Sequence, residues 1–270
     1  MREMAVGPGA DWRPEPPQRP RHRFLKNATN LFLVAVGIDG PGLIRREQPN
    51  GGAMRKIFLD VGGHVGQSLE EVLKPLYSFD VVYCFEPFPA HAEVIRNRFS
   101  DPRLRLIEYG LSNVTGPLEF HSDGLDDMGA SVKKREGETK SIVTRCDFVR
   151  ASDFFRDHIA ADDLVVMKLN CEGSECDIMN DLMDSGEIIK IDNVMIDFDV
   201  RKFAHLAQEE PKLKQRMAAT GFDRFSLCER VMKGRTHQKR IANWLRSIPG
   251  YERFRPQATW SERLAGALRL

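Results

Sequence analysis

Cysteine is scarce in this 270-residue chain, and its spacing excludes the common uses of that residue. The five cysteines include no C-x-x-C pair and have no histidine-rich segment to join them. That pattern argues against a structural zinc site, and we expect no metal. An odd number of cysteines without the spacing of a disulfide framework is typical of a reducing compartment. We therefore expect a cytoplasmic protein.

Long apolar runs are also absent. No stretch reaches the roughly 20 apolar residues that a membrane-spanning helix needs, and the short run at residues 31–36 fits a core strand better than a signal peptide. Residues 56–228 carry 21 basic and 31 acidic side chains, whereas both ends of the chain are net basic. An acidic centre without a nucleic-acid-binding motif argues against nucleic acid as a partner.

Charge and proline content divide the chain into three parts. Residues 1–55 are basic and rich in proline, which predicts a partly disordered N-terminal extension. Residues 56–228 are expected to form the globular domain, and residues 229–270 a basic helical tail. We expect this tail to pack on the core, with peripheral contact to a membrane surface as the alternative. Its apolar residues recur at helical spacing: Ile241, Trp244, Leu245, Ile248, Trp260, Leu264 and Leu268.

Between the basic ends, short apolar runs alternate with helical patterns. Apolar runs of four to six residues between turn formers are typical of buried parallel strands. The predicted strands are Ile57–Val61, Val81–Phe85, Leu104–Ile107, Leu164–Leu169, Val194–Ile196 and Phe222–Leu227, and the predicted helices cover 89–99, 178–183 and 211–219. Two alternating segments, 118–121 and 141–144, predict an antiparallel insertion. The whole pattern predicts a doubly wound α/β fold.

Two of the predicted strands end in an acidic residue. Asp60 closes the first strand and is followed by glycines at 62, 63 and 66, and Glu86 follows the second strand. Glycine allows the chain to turn sharply and the backbone to approach a ligand closely. In open α/β sheets, ligands bind in the crevice at these strand ends.

The same turn favours one nucleotide-type ligand over another. His64 stands where the G-x-G-x-x-G dinucleotide motif has its middle glycine. The carboxylate of Asp60 would repel a pyrophosphate but attract the ammonium group of S-adenosylmethionine. Glu86 fits either cofactor, because an acid after the second strand can accept both ribose hydroxyls. Ser68 and Glu71 have capping-box spacing, which predicts a helix start with free amide donors at this place.

Four sequence blocks, taken in order, resemble one enzyme family. They are Asp60-Val-Gly-Gly-His-Val-Gly66, Phe85-Glu86-Pro87, Leu111-Ser112-Asn113 with Gly116, and Lys168-Leu-Asn-Cys-Glu-Gly-Ser-Glu175. This set is similar to the signature of FkbM-type methyltransferases over roughly residues 56–228, and Gly221-Phe222 resembles a late pair of that family. The resemblance implies a Rossmann-like class I methyltransferase sheet, mostly parallel and of about seven strands. Helices would cover both faces, with a small β insertion.

The resemblance also implies a cofactor, S-adenosyl-L-methionine, and roles for the matching residues. Asp60 would balance its ammonium group, Ser68 would lie near its carboxylate, and Glu86 would bind its ribose. Ser112 or Asn113 would lie near the adenine. Backbone contacts would come from Gly62, Gly63, His64 and Gly66.

The acceptor implied by the resemblance is a hydroxyl on a sugar or another small molecule. Lys168, Glu172 and Asp197 are the candidates for acceptor binding or proton removal, because each is expected at a strand end facing the crevice. The chain departs from the family pattern at Asn170, where an aspartate is usual, and at Asp197 and Asp199, where a glutamate and a histidine are common. Asn170 keeps hydrogen bonding but loses charge, which weakens any charge-dependent role there.

Three alternatives stay open at this point. Lys168 and Glu172 could pair with each other and simply hold the loop. Asp197-Phe198-Asp199 could be the metal-binding D-x-D pair of a glycosyltransferase. The domain could also be an inactive methyltransferase-like scaffold that binds partners. Four histidines without shared spacing are expected at the surface or at helix caps: His91, His121, His158 and His205.

Overall fold

The computed structural model describes residues 54–122, 131–133 and 142–255. The expected N-terminal extension, the short run at residues 31–36 and the second half of the expected tail, with Trp260, Leu264 and Leu268, lie outside these residues. The three-part division of the chain stays a prediction.

A six-stranded parallel sheet forms the centre of the fold. Its strands are β1 (Lys56–Val61), β2 (Val81–Phe85), β3 (Leu104–Ile107), β7 (Leu164–Leu169), β8 (Asn193–Ile196) and β9 (Phe225–Leu227). The order across the sheet is β3-β2-β1-β7-β8-β9, so the chain runs outward from β1 and then returns to its other side. This confirms the doubly wound α/β prediction. The sheet has six strands in the described part of the chain, where the resemblance implied about seven.

Helices cover both faces of this sheet, as predicted. The helices are α1 (Leu69–Val72), α2 (Pro89–Arg98), α3 (Ala151–His158), α4 (Glu175–Ser185), α5 (Glu209–Ala219), α6 (Cys228–Val231) and α7 (His237–Ser247), and 3₁₀ turns occupy Glu187–Lys190, Asp199–Lys202, Ala204–Leu206 and Tyr251–Phe254. Residues of α1, α2 and α7 pack with Phe58 of β1, whereas residues of α3, α4 and α5 pack with its neighbours Ile57 and Leu59. Alternate residues of one strand thus enter two separate cores. None of the helices in the described ranges is both long and apolar enough to cross a bilayer.

In the order of the chain, a second sheet of three strands is inserted between β3 and β7 of the main sheet. It comprises β4 (Gly110–Ser112), β5 (Gly116–Ser122) and β6 (Ile142–Arg150), in the order β4-β6-β5. The β5 and β6 strands are antiparallel, which confirms the predicted insertion, and β4 adds to β6 in parallel. Sequence reasoning missed α3, which follows β6 without an intervening loop.

The predicted capping box does not form. Ser68 already has helical backbone angles, and its side chain makes no cap hydrogen bond. Glu71 is buried and accepts a hydrogen bond from the Tyr77 hydroxyl at 2.7 Å. Because α1 is a single turn, its start offers a much weaker array of amide donors than the predicted helix.

A buried ion pair joins the two central strands. Asp60 of β1 lies directly beside Lys168 of β7 in the parallel register, and the Lys168 Nζ donates to Asp60 Oδ1 at 2.7 Å. The same Nζ donates to the carbonyl of Gly62 at 2.9 Å. Burial lowers the pKa of Lys168, but the Asp60 carboxylate outweighs that effect and raises the pKa above its usual range. Lys168 is therefore a charged group.

Helix α7 is part of the core, as expected for this segment. Its Ile241 and Trp244 side chains are fully buried, and the Trp244 ring lies 6.0 Å from that of Phe58. The Trp244 indole N–H donates to Asn193 Oδ1 at 3.4 Å. The apolar spacing that predicted this helix therefore marks the face that packs on the sheet.

Replacing Trp244 by alanine should destabilise the fold strongly, since it empties a fully buried site next to β1. We expect a loss of about 3–5 kcal/mol in the free energy of unfolding, measured by urea denaturation. Ile189→Ala, at a side chain that is 60% exposed, is the control and should change stability by less than about 0.5 kcal/mol. A Trp244→Ala loss as small as the control would contradict the role given to α7.

Lys168→Met should also be costly, because it leaves the Asp60 carboxylate buried without its cation. We expect a loss of about 3–5 kcal/mol, and a smaller one when Asp60→Leu is added to remove both charges. Lys212→Met, which breaks the exposed pair with Glu209, should cost less than about 1 kcal/mol. A double variant that is no more stable than Lys168→Met would refute this reading of the pair.

Candidate functional site

A crevice opens at the carboxyl ends of β1, β2 and β7. Its cavity volume is about 130 Å³. The crevice lies where the strand order reverses on the two sides of β1, which is the place where doubly wound sheets bind ligands. Residues from every block named in the sequence analysis line it, among them Gly62, Ser68, Glu86, Leu111, Lys168 and Glu172.

The glycine turn after β1 forms the floor of the crevice. Gly62 has φ +85°, and a Cβ at this position would come within 1.8 Å of the Asn170 carbonyl oxygen. The amides of Gly62 and Gly63 both donate to the Phe85 carbonyl, at 3.2 and 2.9 Å, and the amide of Gly66 donates to Gly63. These turn amides are thus bonded within the protein, while Gly62, Gly63 and His64 line the crevice, and the expected backbone contacts to a ligand stay a prediction.

Glu86 is held at the edge of the crevice by the backbone. Its Oε2 accepts the His64 amide at 2.7 Å and its Oε1 accepts the Phe88 amide at 2.9 Å. His64 itself adopts a left-handed φ of +48°, which brings its amide to this carboxylate. A carboxylate oxygen has two lone pairs, so Oε2 can accept a further hydrogen bond. Glu86 is therefore a fixed carboxylate that can still accept a hydrogen bond from a ligand.

His91 was expected at the surface or at a helix cap, and that expectation is wrong, because α2 has Phe88 at its N-cap and no side-chain cap hydrogen bond. The side chain is buried, its Nδ1 lies 3.5 Å from Glu86 Oε1, and its ring centre lies 4.3 Å from that of His64. His91 also lines the crevice. The signal in the sequence was its position in the first turn of α2, five residues after Glu86, which places it beside that carboxylate.

The structure changes the role expected for Asp60. Its side chain is fully buried and does not line the crevice, and Lys168 already balances its charge. A ligand ammonium group would therefore have no direct access to it. The alternative pairing of Lys168 with Glu172 is also wrong, because Lys168 pairs with Asp60 and Glu172 pairs with Lys202 at 2.6 Å.

The loop after β7 presents Glu172 to the crevice in a strained conformation. Glu172 has φ +55°, a value that is uncommon outside glycine and that costs energy. Burial raises the pKa of Glu172 to about 7, with the Lys202 ammonium opposing that rise and the Asp199 carboxylate adding to it. Glu175 holds the loop, since its Oε1 accepts the amides of Cys171 and Gly173 at 3.0 Å each.

Asp197 and Asp199 do not converge on one point. Asp197 Oδ2 accepts from Asn170 Nδ2 at 3.4 Å, whereas Asp199 Oδ1 pairs with Lys202 at 2.9 Å. Burial raises the pKa of Asp197, and the Cys228 thiol opposes this by hydrogen bonding to it. Asp197 lies behind Asn170 and does not line the crevice. In the described residues no group of three or more histidine, cysteine, aspartate or glutamate side chains could hold a metal ion.

The second sheet supplies an apolar wall opposite the glycine turn. Leu111, Phe120 and Phe148 line the crevice on this side. Gly110 lies against the Phe148 ring, where a Cβ would come within 2.2 Å of it. Ser112 and Asn113, expected near the adenine, directly follow the lining residues Gly110 and Leu111 but do not line the crevice themselves.

One further lining residue comes from the C-terminal part of the chain. His237 opens α7, and its Nε2 shares a hydrogen bond of 3.2 Å with Ser68 Oγ. Sequence reasoning missed it, because nothing in the local sequence connects residue 237 with the glycine turn. Its position depends on the packing of α7 against the sheet.

Comparison with known proteins agrees with the sequence blocks. The family model described as the methyltransferase FkbM domain matches residues 60–223. A crystal structure of methyltransferase FkbM from Methylobacillus flagellatus KT is 19% identical in sequence, with a TM-score of 0.32, and the match covers 48% of this chain and 30% of that one. This chain thus matches about a third of the length of that protein. No curated protein matches it.

The match to the family model extends over more than half of the chain and contains the glycine turn, Glu86 and the loop around Glu172. The chain therefore belongs to the methyltransferase FkbM domain family.

Proposed function

We propose that the protein is an S-adenosylmethionine-dependent methyltransferase that methylates a hydroxyl group of a sugar or another small molecule. Family membership supports the reaction class. Family membership also favours S-adenosylmethionine among the cofactors that contain a ribose. The observation that carries the ribose site is Glu86, a carboxylate fixed by two backbone amides at the end of β2. An acid in this place accepts the two hydroxyls of a ribose.

The crevice fits the parts of the proposed cofactor. Glu86 would hold the ribose, and Leu111 and Phe148 would pack on the adenine, because an apolar wall suits a planar base. Ser112 and Asn113 stay candidates for its edge. At the other end Lys168 and Ser68 would bind the carboxylate of the amino-acid part. When bound, S-adenosylmethionine supplies an electrophilic methyl group on a sulfonium.

Asp60 takes an indirect role in this proposal. Its carboxylate holds the Lys168 ammonium at the crevice and keeps it charged. A permanently charged lysine is a good anion ligand but a poor base. We therefore assign Lys168 to binding rather than to proton removal.

Glu172 is the proposed general base. A pKa of about 7 lets the side chain exist as a carboxylate at neutral pH and still take up a proton readily. Glu172 would receive the proton of the acceptor hydroxyl, while Asn170, also in the crevice, offers a hydrogen-bonding group to the acceptor. Asp197 would act through Asn170, which it contacts.

A reducing, cytoplasmic location belongs to the same proposal. All five cysteines are free, which supports it. The proposed partner is a small-molecule or saccharide acceptor, with peripheral membrane contact through the basic tail as the alternative.

Calorimetry on the full chain tests the cofactor. We expect wild type to bind S-adenosylmethionine and Glu86→Gln to bind it roughly 10- to 100-fold more weakly, because a hydrogen bond to a charged group contributes about 1.5–3 kcal/mol. Glu108→Gln, at an exposed glutamate paired with Arg96, is the matched control and should leave affinity unchanged. If folded wild type does not bind S-adenosylmethionine, the result would support the inactive scaffold. Manganese-dependent binding of UDP-glucose would support a glycosyltransferase.

The pH profile tests Glu172. Methyl transfer to an acceptor found by screening sugars and small alcohols should rise with pH through about 7, as Glu172 loses its proton. Glu172→Gln should lower kcat by roughly 100- to 10,000-fold and abolish this limb. Lys202→Met removes the cation that lowers the pKa of Glu172, so the limb should move to higher pH. An unchanged profile in both variants would rule out Glu172 as the base.

A further inference from the structure

His237 connects the C-terminal part of the chain with the crevice. It is the first residue of α7, it lines the crevice, and its Nε2 bonds to Ser68 Oγ at 3.2 Å. Ser68 is 2% exposed and lines the crevice as well. The imidazole thus fixes a hydroxyl that would otherwise rotate freely.

The position of His237 is held firmly. Thr236 caps α7 by accepting the Lys239 amide at 3.2 Å, and Gln238, next to His237, donates to Glu70 of α1. Further along α7, Trp244 anchors the helix in the core beside β1. The ring of His237 is therefore set by a packed helix rather than by a loop.

The charges around His237 favour its neutral form. Burial lowers the pKa of His237, and the Lys168 ammonium lowers it further, while Asp60 opposes both and Arg240 adds a small lowering effect. A neutral imidazole can accept the Ser68 hydroxyl proton or donate to its oxygen. It therefore orients the hydroxyl without adding a second cation beside Lys168.

Lys168 and Ser68 form one corner of the crevice with His237. Of the three Nζ protons of Lys168, two are used by Asp60 and Gly62, and the third has no acceptor among the described residues. An ammonium N–H together with an oriented hydroxyl makes a corner that suits a carboxylate.

We propose that His237 is a positioning residue for the amino-acid end of the methyl donor and acts by holding the Ser68 hydroxyl. This inference rests on the proposed function. His237 lies 14 residues beyond the end of the family match at residue 223, so this contact to the crevice comes from a segment of the chain outside the matched domain.

Binding of two ligands distinguishes a positioning role of His237 from a general structural role. S-adenosylhomocysteine carries the amino-acid end, and methylthioadenosine lacks it but keeps the ribose and the adenine. Calorimetry with the full chain should show His237→Ala binding S-adenosylhomocysteine roughly 5- to 30-fold more weakly, the effect of one buried hydrogen bond. Affinity for methylthioadenosine should stay within about twofold of wild type, since no contact to that ligand is lost.

Further variants test the route through Ser68. His237→Gln keeps a neutral hydrogen-bonding side chain and should recover part of the affinity. Ser68→Ala should weaken S-adenosylhomocysteine as His237→Ala does, and the double variant should be no weaker than Ser68→Ala, because both act through one hydroxyl. His205→Gln, at an exposed histidine, is the matched control and should leave both affinities unchanged.

Four results would overturn the inference. Equal weakening of both ligands would show a structural role, and unchanged binding of S-adenosylhomocysteine would show none. If Glu86→Gln weakens both ligands while the His237 variants weaken neither, the proposed function stands and this inference alone fails. Wild type that binds neither ligand would refute the proposed function and this inference with it.

Discussion

The ion pair between Asp60 and Lys168 sets the geometry on which the rest of the site depends. It joins β1 to β7 at the place where the sheet reverses its order, and Lys168 also bonds the Gly62 carbonyl. The glycine turn is thereby fixed to β7. From that turn the His64 amide reaches Glu86 on the neighbouring strand. Three strand ends are thus held together by one buried charge pair and the backbone bonds that follow from it.

A buried pair of this kind is expensive, because two charges leave water. The pair nevertheless matters for the site. Burial lowers the pKa of Lys168, but the Asp60 carboxylate raises it, so a charged ammonium group remains at the crevice. In Glu172, by contrast, burial favours the uncharged form and raises the pKa to about 7. A lysine that stays charged is suited to binding an anion, and an acid with a pKa near 7 is suited to proton transfer. We propose that these two ionisable groups of the crevice have separate tasks, Lys168 in binding and Glu172 in proton transfer.

The sequence predicted the sheet well because a strand covered on both faces is a continuous apolar run. All six residues of β7 are buried, and its run was visible without any other information. Helix α3 was missed because Arg150 ends β6 and Ala151 begins the helix, with no turn residue to mark the boundary. The capping box was predicted from spacing alone and failed because Ser68 has helical backbone angles, whereas a capping residue is extended.

The sequence predicted which residues come together at the site, but it did not predict the hydrogen-bond or ion-pair partner of each one. Asp60, Glu86, Lys168 and Glu172 were all expected at strand ends, and all lie in or directly under the crevice. The partner of each depends on strand register and on long-range packing, which local patterns do not encode. His91 and His237 reach the crevice from helices, and only the packing of those helices brings them there.

The proposed function depends above all on Glu86 binding the ribose of the methyl donor in this crevice. The first experiment is therefore a crystal structure of the full chain with S-adenosylhomocysteine. We expect both ribose hydroxyls within hydrogen-bonding distance of the Glu86 carboxylate, the adenine against Leu111 and Phe148, and the amino-acid end towards Lys168 and Ser68. A ligand bound elsewhere, or one whose ribose lies away from Glu86, would contradict this proposal.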